Sequence, residues 1–112
     1  MNTKLPINII GVMSGTSLDG VDLAFCQFQK ENRGVSYKIL HTKAVCYSEA
    51  WIQKLQNLPN ASAREYVATD NSFGRYLGQL IRTFCHDIGV KADFIGSHGH
   101  TIFHEPDLGY TA

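Results

Sequence analysis

The sequence has few of the residues that mark specialised protein classes, with three cysteines, three prolines and one tryptophan. Cys26, Cys46 and Cys85 match neither a zinc-binding nor a redox spacing, and their number is odd. We therefore expect free thiols that pack as small apolar residues in a reducing compartment.

The chain also lacks an excess of charge, because ten lysine and arginine residues balance ten aspartate and glutamate residues. Such a neutral chain has no electrostatic footprint for nucleic acid or an anionic membrane. No apolar run approaches the roughly 20 residues that span a bilayer, and residues 1–6 lack the apolar region of a signal peptide. These features predict a cytoplasmic protein with neither nucleic-acid nor membrane partners.

The apolar pattern of the first half predicts three strands joined by short turns, which is typical of an antiparallel meander. The strands are expected at residues 7–13, 21–29 and 35–47. In the third strand the alternation places three side chains on one face, namely Tyr37, Ile39 and His41.

Helical periodicity follows. A short helix is expected between Ser48 and Pro59, and a capping box at residues 62–65 opens a long amphipathic helix that ends at Gly89. Gly74 and Gly78 share one face of that helix. We expect this face to pack closely on a sheet, with the approach of a ligand as the alternative.

Two short strands are expected after the helices, at residues 94–97 and 101–103. The resulting order, three strands, two helices and two strands, predicts an α/β protein that opens a ribonuclease H-like mixed sheet. A ferredoxin-like or simple α+β fold is the alternative.

The segment between the first two strands concentrates glycine and hydroxyl groups. Gly15 and Gly20 allow the positive φ angles of an anion-binding nest, and three hydroxyl donors accompany them, Ser14, Thr16 and Ser17. The segment is neither a Walker A loop nor a G-x-G-x-x-G fingerprint. An anion-binding nest and an ordinary polar hairpin both fit these residues.

Two longer strings add a resemblance. Residues 11–22, GVMSGTSLDGVD, resemble the signature of the anhydro-N-acetylmuramic acid kinases, and residues 96–106, GSHGHTIFHEP, resemble that family's second block. The resemblance implies the actin, Hsp70 and sugar-kinase architecture, with two ribonuclease H-like domains around a cleft. It also implies a reaction in bacterial cell-wall recycling, in which ATP and water open the 1,6-anhydro ring of the amino sugar and O6 is phosphorylated.

Site residues follow from the same resemblance. ATP would be bound by Gly15, Thr16, Ser17, Leu18, Asp19, Gly20, Val21 and Asp22, and the sugar side of the cleft would contain Ser97, His98, Gly99, His100 and Thr101. His100 stands where the family usually has glutamine. The carboxylates of Asp19 and Asp22 could hold Mg²⁺ through water. The expected ligands are ATP, Mg²⁺ and an amino sugar, and a homodimer is compatible with the resemblance.

The family's chains are longer than this one. Residues 1–112 are therefore expected to form the N-terminal part of an ATPase/sugar-kinase domain, as a truncation or fragment. The catalytic base, the second phosphate loop and the adenine pocket are expected beyond residue 112. The 112-residue chain alone is accordingly expected to be inactive.

Two other functions fit some of the same residues. His98, His100 and His104 could bind zinc in a hydrolase if a regular strand presented them on one face. Structural histidines and a non-catalytic phosphate-binding module are the remaining interpretations.

Overall fold

A computed structural model describes residues 6–14, 18–100, 102 and 104–111. Its first three strands form the antiparallel meander that the sequence predicts, with β1 paired to β2 and β2 paired to β3. They are β1 (Ile7–Met13), β2 (Gly20–Glu31) and β3 (Gly34–Cys46). The end of β2 and the start of β3 extend further into the connecting turn than predicted. Only Asn32 and Arg33 remain between the two strands.

The two predicted helices are present, as α1 (Glu49–Asn57) and α2 (Ala63–Ile88), with a 3-10 turn at Leu58–Asn60 between them. Each helix begins at a serine whose Oγ accepts a hydrogen bond from a backbone N–H of the first turn. Gly89 ends α2 with a φ of 70°, a left-handed conformation that glycine adopts without a Cβ penalty. No helix in the described part of the chain is long and apolar enough to span a membrane.

After α2 the chain returns to the sheet as β4 (Phe94–Ser97), which lies parallel to β1. The backbone N–H of Asp93 donates to the Asn8 carbonyl at 2.7 Å, and the Asp93 carboxylate accepts from the Asn8 N–H at 2.8 Å. The four strands lie in the order β3-β2-β1-β4, which makes a mixed α/β fold with a four-stranded sheet.

The last strands differ from the expectation for residues 101–103. Ile102 is not in a strand, and residues 101 and 103 lie outside the described residues. A short ladder forms later instead, between β5 (His104–Glu105) and β6 (Tyr110–Thr111), because a 3-10 turn at Pro106–Leu108 brings β6 back beside β5. The position of β5 is therefore determined by its pairing with β6 and not by the local β propensity of residues 101–103.

The core lies on one face of the sheet, where the helices cover it. Alternate residues of β1 and β2 point into this core, and α1 and α2 contribute apolar side chains from the other side. The buried members include Ile10, Val12, Val21, Leu23, Phe25, Leu55, Phe73 and Phe84. The opposite face remains more open, with Phe94 63% exposed and Tyr37 62% exposed.

Two packing predictions are wrong. A β-bulge beside Phe25 and Cys26 places His41 opposite Phe25, whereas Ile39 lies opposite Cys26 on the other face. Gly74 does not pack closely on the sheet, since it is exposed and a Cβ there would meet no atom within 4 Å. The same holds for Gly78.

Candidate functional site

Ser14 follows the last residue of β1 and is only 4% exposed. Its Oγ donates a hydrogen bond of 2.6 Å to the carbonyl oxygen of Gly99, which lies just beyond β4. The final rung of the β1–β4 ladder joins Val12 to Ser97. This side-chain bond therefore continues the contact between the two segments after their backbone pairing stops.

Asp19 and Gly20 form the second end of the connection between β1 and β2, of which Ser14 is the first. The Asp19 carbonyl accepts a hydrogen bond of 3.2 Å from the backbone N–H of Tyr47, which follows β3. Gly20 begins β2 with a φ of 157°, and a Cβ at this position would overlap the Val45 carbonyl oxygen and lie 2.9 Å from the Cys46 Cα. Only glycine lets these backbones approach so closely.

A pocket of about 310 Å³ lies where these segments meet. Its lining comes from the end of β1, the start of β2, the end of β3 and the segment after β4: Met13, Ser14, Asp19, Gly20, Val21, Asp22, Ala44, Val45, Cys46 and His98. Two aspartates therefore face a histidine from the second block of the sequence. Among the described residues that line the pocket there is neither lysine nor arginine.

The segment after β4 is shaped by Gly99, whose φ of 71° is left-handed. The N–H of Gly99 donates to the Ser97 hydroxyl at 3.3 Å, and its carbonyl lies 2.9 Å from Nδ1 of His98. A carbonyl can only accept, so the proton of His98 in this contact is on Nδ1. Nε2 is then the ring nitrogen that can accept a hydrogen bond from a bound molecule.

His100 does not line this pocket. It packs instead in an aromatic cluster with Tyr47 and Phe73. Its ring meets those of Tyr47 and Phe73 edge-on, with centroid distances of 6.4 and 6.3 Å. Burial in this cluster lowers the pKa of His100, and interaction with the Ser14 backbone opposes part of that shift. His100 is therefore held in its neutral form over a wider pH range.

Tyr47 belongs to the same cluster and is 6% exposed. Burial raises the pKa of its hydroxyl, and the nearby Ser14 side chain partly opposes this effect. The Tyr47 hydroxyl is without a hydrogen-bond partner among the described residues.

The structure brings together part of the predicted site. Asp19, Gly20, Val21 and Asp22 line the pocket, and so does His98 from the second block. Leu18 packs against the core, while Ser97, Gly99 and His100 do not contribute to the lining. Four predicted residues lie outside the described residues: Gly15, Thr16, Ser17 and Thr101.

The sequence did not indicate the contribution of β3. Ala44, Val45 and Cys46 line the pocket because β3 pairs with β2 in a register that reaches Gly20. No local motif marks these three residues. The one usable signal is Tyr47, a large aromatic residue directly before the helix N-cap.

The described residues do not support the zinc interpretation, because they include no group of three histidine, cysteine, aspartate or glutamate residues placed to bind a metal ion. His98 lines the pocket whereas His100 packs against Tyr47 and Phe73, since Gly99 interrupts the regular strand geometry that the interpretation required. The three cysteines are free thiols, as predicted, but Cys46 is exposed and does not pack as a small apolar residue.

A larger depression of about 720 Å³ lies at the β2–β3 turn, around residues 29–36. It is an open surface bounded mostly by polar turn residues, and the two pockets have no described residue in common. The smaller pocket is the candidate site because it joins four separate segments of the chain and contains the two carboxylates.

Comparison with known proteins identifies a family for this sequence. The sequence model of the family described as anhydro-N-acetylmuramic acid kinase matches residues 7–112. An anhydro-N-acetylmuramic acid kinase of Picosynechococcus sp. is 34% identical over 106 residues, covering 92% of this chain and 28% of the relative. One from Bacillus cereus is 29% identical over 104 residues, covering 88% of this chain and 27% of the relative.

The chain thus spans little more than a quarter of the length of these curated relatives. The family match extends over both loops that form the pocket and over the whole four-stranded sheet. The chain belongs to the anhydro-N-acetylmuramic acid kinase family.

Proposed function

We propose that this chain contributes the ATP-phosphate side of an anhydro-N-acetylmuramic acid kinase. In this reaction ATP and water open the 1,6-anhydro ring of the amino sugar and phosphorylate O6, a step in peptidoglycan recycling and amino-sugar catabolism. The observation that carries the proposal is the pocket in which Asp19, Gly20 and Asp22 face His98. It unites the two sequence blocks that resemble the family.

The donor set of the pocket fits a phosphate bound together with a metal ion. The pocket volume of about 310 Å³ falls at the small end of the roughly 300–1,000 Å³ typical of ligand sites. Two carboxylates without a lysine or arginine would repel a polyphosphate. We therefore infer that Asp19 and Asp22 hold Mg²⁺ through water.

ATP would supply the phosphoryl group, and Mg²⁺ would neutralise its charge. The loop residues 15–22 would bind and orient the phosphates, with Gly20 fixing the entry into β2. His98 would accept a hydrogen bond from a sugar hydroxyl at Nε2, because its Nδ1 proton already points to the Gly99 carbonyl. His98 is accordingly the residue of the second block that we propose to contact the sugar.

The attacking water requires a carboxylate to accept its proton. The two aspartates of the pocket are assigned to the metal in this proposal, so the base is a residue other than Asp19 and Asp22. We expect the 112-residue chain to bind Mg-ATP without turning it over.

The topology supports a ribonuclease H-like sheet of the actin, Hsp70 and sugar-kinase architecture. Three antiparallel strands, a helical crossover and a parallel fourth strand in the order β3-β2-β1-β4 agree with that proposal. In this proposal residues 1–112 form the N-terminal part of the kinase domain, which acts in the cytoplasm on a small amino sugar and assembles as a homodimer.

Isothermal titration of the chain with Mg-ATP tests the phosphate assignment. Asp19→Asn removes one carboxylate while keeping the side-chain shape, and we expect it to weaken binding at least about tenfold, or ~1.4 kcal/mol. Asp87→Asn is the matched control, since Asp87 lies in the last turn of α2 and does not line the pocket. Wild-type chain that binds no Mg-ATP, or equal affinity of Asp19→Asn and wild type, would refute the assignment.

A further inference from the structure

The Ser14 hydroxyl joins the end of β1 to the turn that follows β4. Ser14 is 4% exposed, and its Oγ lies 2.6 Å from the carbonyl oxygen of Gly99. Because a carbonyl oxygen only accepts hydrogen bonds, Ser14 is the donor, and a serine has a single hydroxyl proton. Ser14 lines the 310 Å³ pocket, but in this arrangement it has no proton left to donate to a phosphate oxygen.

The Gly99 carbonyl accepts a second hydrogen bond, from the side chain of His98. Its oxygen lies 2.9 Å from Nδ1 of His98, and the two lone pairs of a carbonyl oxygen can accept from both donors. The donors differ in their surroundings, since Ser14 is buried and His98 is exposed. Water competes more strongly for an exposed donor than for a buried one. Ser14 is therefore the contact that holds the Gly99 carbonyl in place.

The backbone at Gly99 needs such a contact. Its φ of 71° is left-handed, and glycine is the residue with the widest choice of other conformations. The hydrogen bond from the Gly99 N–H to the Ser97 hydroxyl is longer, at 3.3 Å, and Ser97 is exposed. If the Gly99 peptide rotates, its carbonyl moves with it, and Nδ1 of His98 exchanges its acceptor for water.

We propose that Ser14 is a positioning residue for His98, whose Nε2 it keeps available as a hydrogen-bond acceptor by fixing the Gly99 carbonyl. The hydrogen bond made by one ring nitrogen sets which nitrogen carries the proton, and neutral imidazole has only one N–H. A serine of the first sequence block thus acts on the sugar side of the pocket. The consequence for sugar affinity rests on the proposed function, whereas the link between Ser14 and the His98 tautomer does not.

Three substitutions test this role by titration with 1,6-anhydro-N-acetylmuramic acid and, separately, with Mg-ATP. For Ser14→Ala we expect the sugar affinity to fall about three- to tenfold and the Mg-ATP affinity to stay within about twofold of wild type. Ser14→Thr keeps the hydroxyl and should restore the sugar affinity. Ser62→Ala is the matched control, because it removes the serine hydrogen bond that caps α2 and Ser62 does not line the pocket. It should change neither affinity.

The two affinities separate positioning from other roles of Ser14. If the Ser14 hydroxyl bound phosphate, Ser14→Ala would weaken Mg-ATP binding instead. If it only stabilised the fold, both affinities would fall together, and Ser62→Ala would lower them as well. Either result would overturn the inference.

Nitrogen NMR of the unliganded chain tests the link without any ligand. In wild type the neutral His98 ring should carry its proton on Nδ1. In Ser14→Ala the proton should shift towards Nε2, while Ser14→Thr and Ser62→Ala should retain the wild-type tautomer. A wild-type proton on Nε2, or an unchanged tautomer in Ser14→Ala, would refute the proposal. A folded Ser14→Thr variant that behaves like Ser14→Ala would also count against it.

These outcomes remain distinguishable from failure of the proposed function. If wild type binds neither ligand, that function fails, and the tautomer still decides the role of Ser14. If wild type binds Mg-ATP alone, the tautomer and the Mg-ATP affinity decide. If wild type binds both ligands and Ser14→Ala changes neither the tautomer nor the sugar affinity, the positioning role fails alone. Should Ser14→Thr not fold, the comparison of Ser14→Ala with Ser62→Ala decides.

Discussion

At the residue scale, Gly20 is constrained by backbone and not by ligand chemistry. A side chain there would collide with the backbone of Val45 and Cys46, which belong to the paired strand β3 and cannot rotate aside. The same glycine stands in the loop that the sequence singles out, so its presence there has a structural cause besides any contact with phosphate.

We expect Gly20→Ala to lower the free energy of unfolding by at least about 2 kcal/mol, because the collision is with backbone atoms. Urea denaturation followed by circular dichroism measures this. Gly11→Ala is the control, since a Cβ at Gly11 of β1 meets no atom within 4 Å. Its effect should stay within about 1 kcal/mol and lie in the stabilising direction. Equal losses in both variants would contradict the prediction.

His100 provides a pH-dependent prediction. Burial lowers its pKa in the folded chain, so as the pH falls through about 6.5 the unfolded chain binds a proton that the folded chain resists. The free energy of unfolding should therefore decrease with falling pH, and this loss should level off once the pH is below the folded-state pKa. Above pH 7 the imidazole contributes no pH dependence.

The control is His100→Gln, which keeps the titratable groups that face His100, namely Tyr47, Tyr66 and Asp70. Urea midpoints of both proteins between pH 5 and 7.5 isolate the imidazole. The stability difference should shift in favour of the glutamine variant as the pH decreases. A difference that is constant over this range would show that His100 has an ordinary pKa in the folded chain.

At the element scale, α2 has one face on the sheet and one in water. Phe73 and Phe84 are buried on the first face, while Gly74 and Gly78 lie exposed among residues of the second. The helical period predicts the buried stripe correctly. The small size of glycine suggested close packing, but the four-residue spacing only places the two glycines on a common face and does not determine what lies opposite.

Because both glycines are helical, exposed and surrounded by open space, replacing either with alanine should stabilise the chain by about 1 kcal/mol. Thermal unfolding of Gly74→Ala and Gly78→Ala measures the gain. Gly89→Ala is the opposing control, since its φ of 70° should make alanine destabilising by about 1 kcal/mol. Stabilisation by Gly89→Ala, or loss in the two helical variants, would be inconsistent with the described helix.

At the scale of the whole molecule, the sheet is covered on one side by α1 and α2 and is more open on the other. Phe84 of α2 is 3% exposed and contacts the core, whereas Phe94 of β4 is 63% exposed. Two phenylalanines ten positions apart in the sequence therefore occupy opposite environments. Their substitution tests this one-sided packing directly.

Phe84→Ala should lower the free energy of unfolding by about 3–5 kcal/mol, because it leaves a cavity between helix and sheet. Phe94→Ala should change it by less than about 1 kcal/mol, since little buried surface is lost. Denaturant unfolding of the two variants at one protein concentration provides the comparison. Comparable losses would show that the second face of the sheet is also covered in solution.

The sequence by itself determined the meander, both helices with their serine caps, the Gly89 terminus and the resemblance that the family match confirms. These features depend on local periodicity, capping and short motifs, which a linear pattern contains. Only the tertiary structure decided that β4 runs parallel to β1, that the end of β3 lines the pocket, and that His98 and His100 pack in different places. Strand register, a β-bulge and the left-handed turn at Gly99 set these positions, because they depend on contacts between residues far apart in the chain.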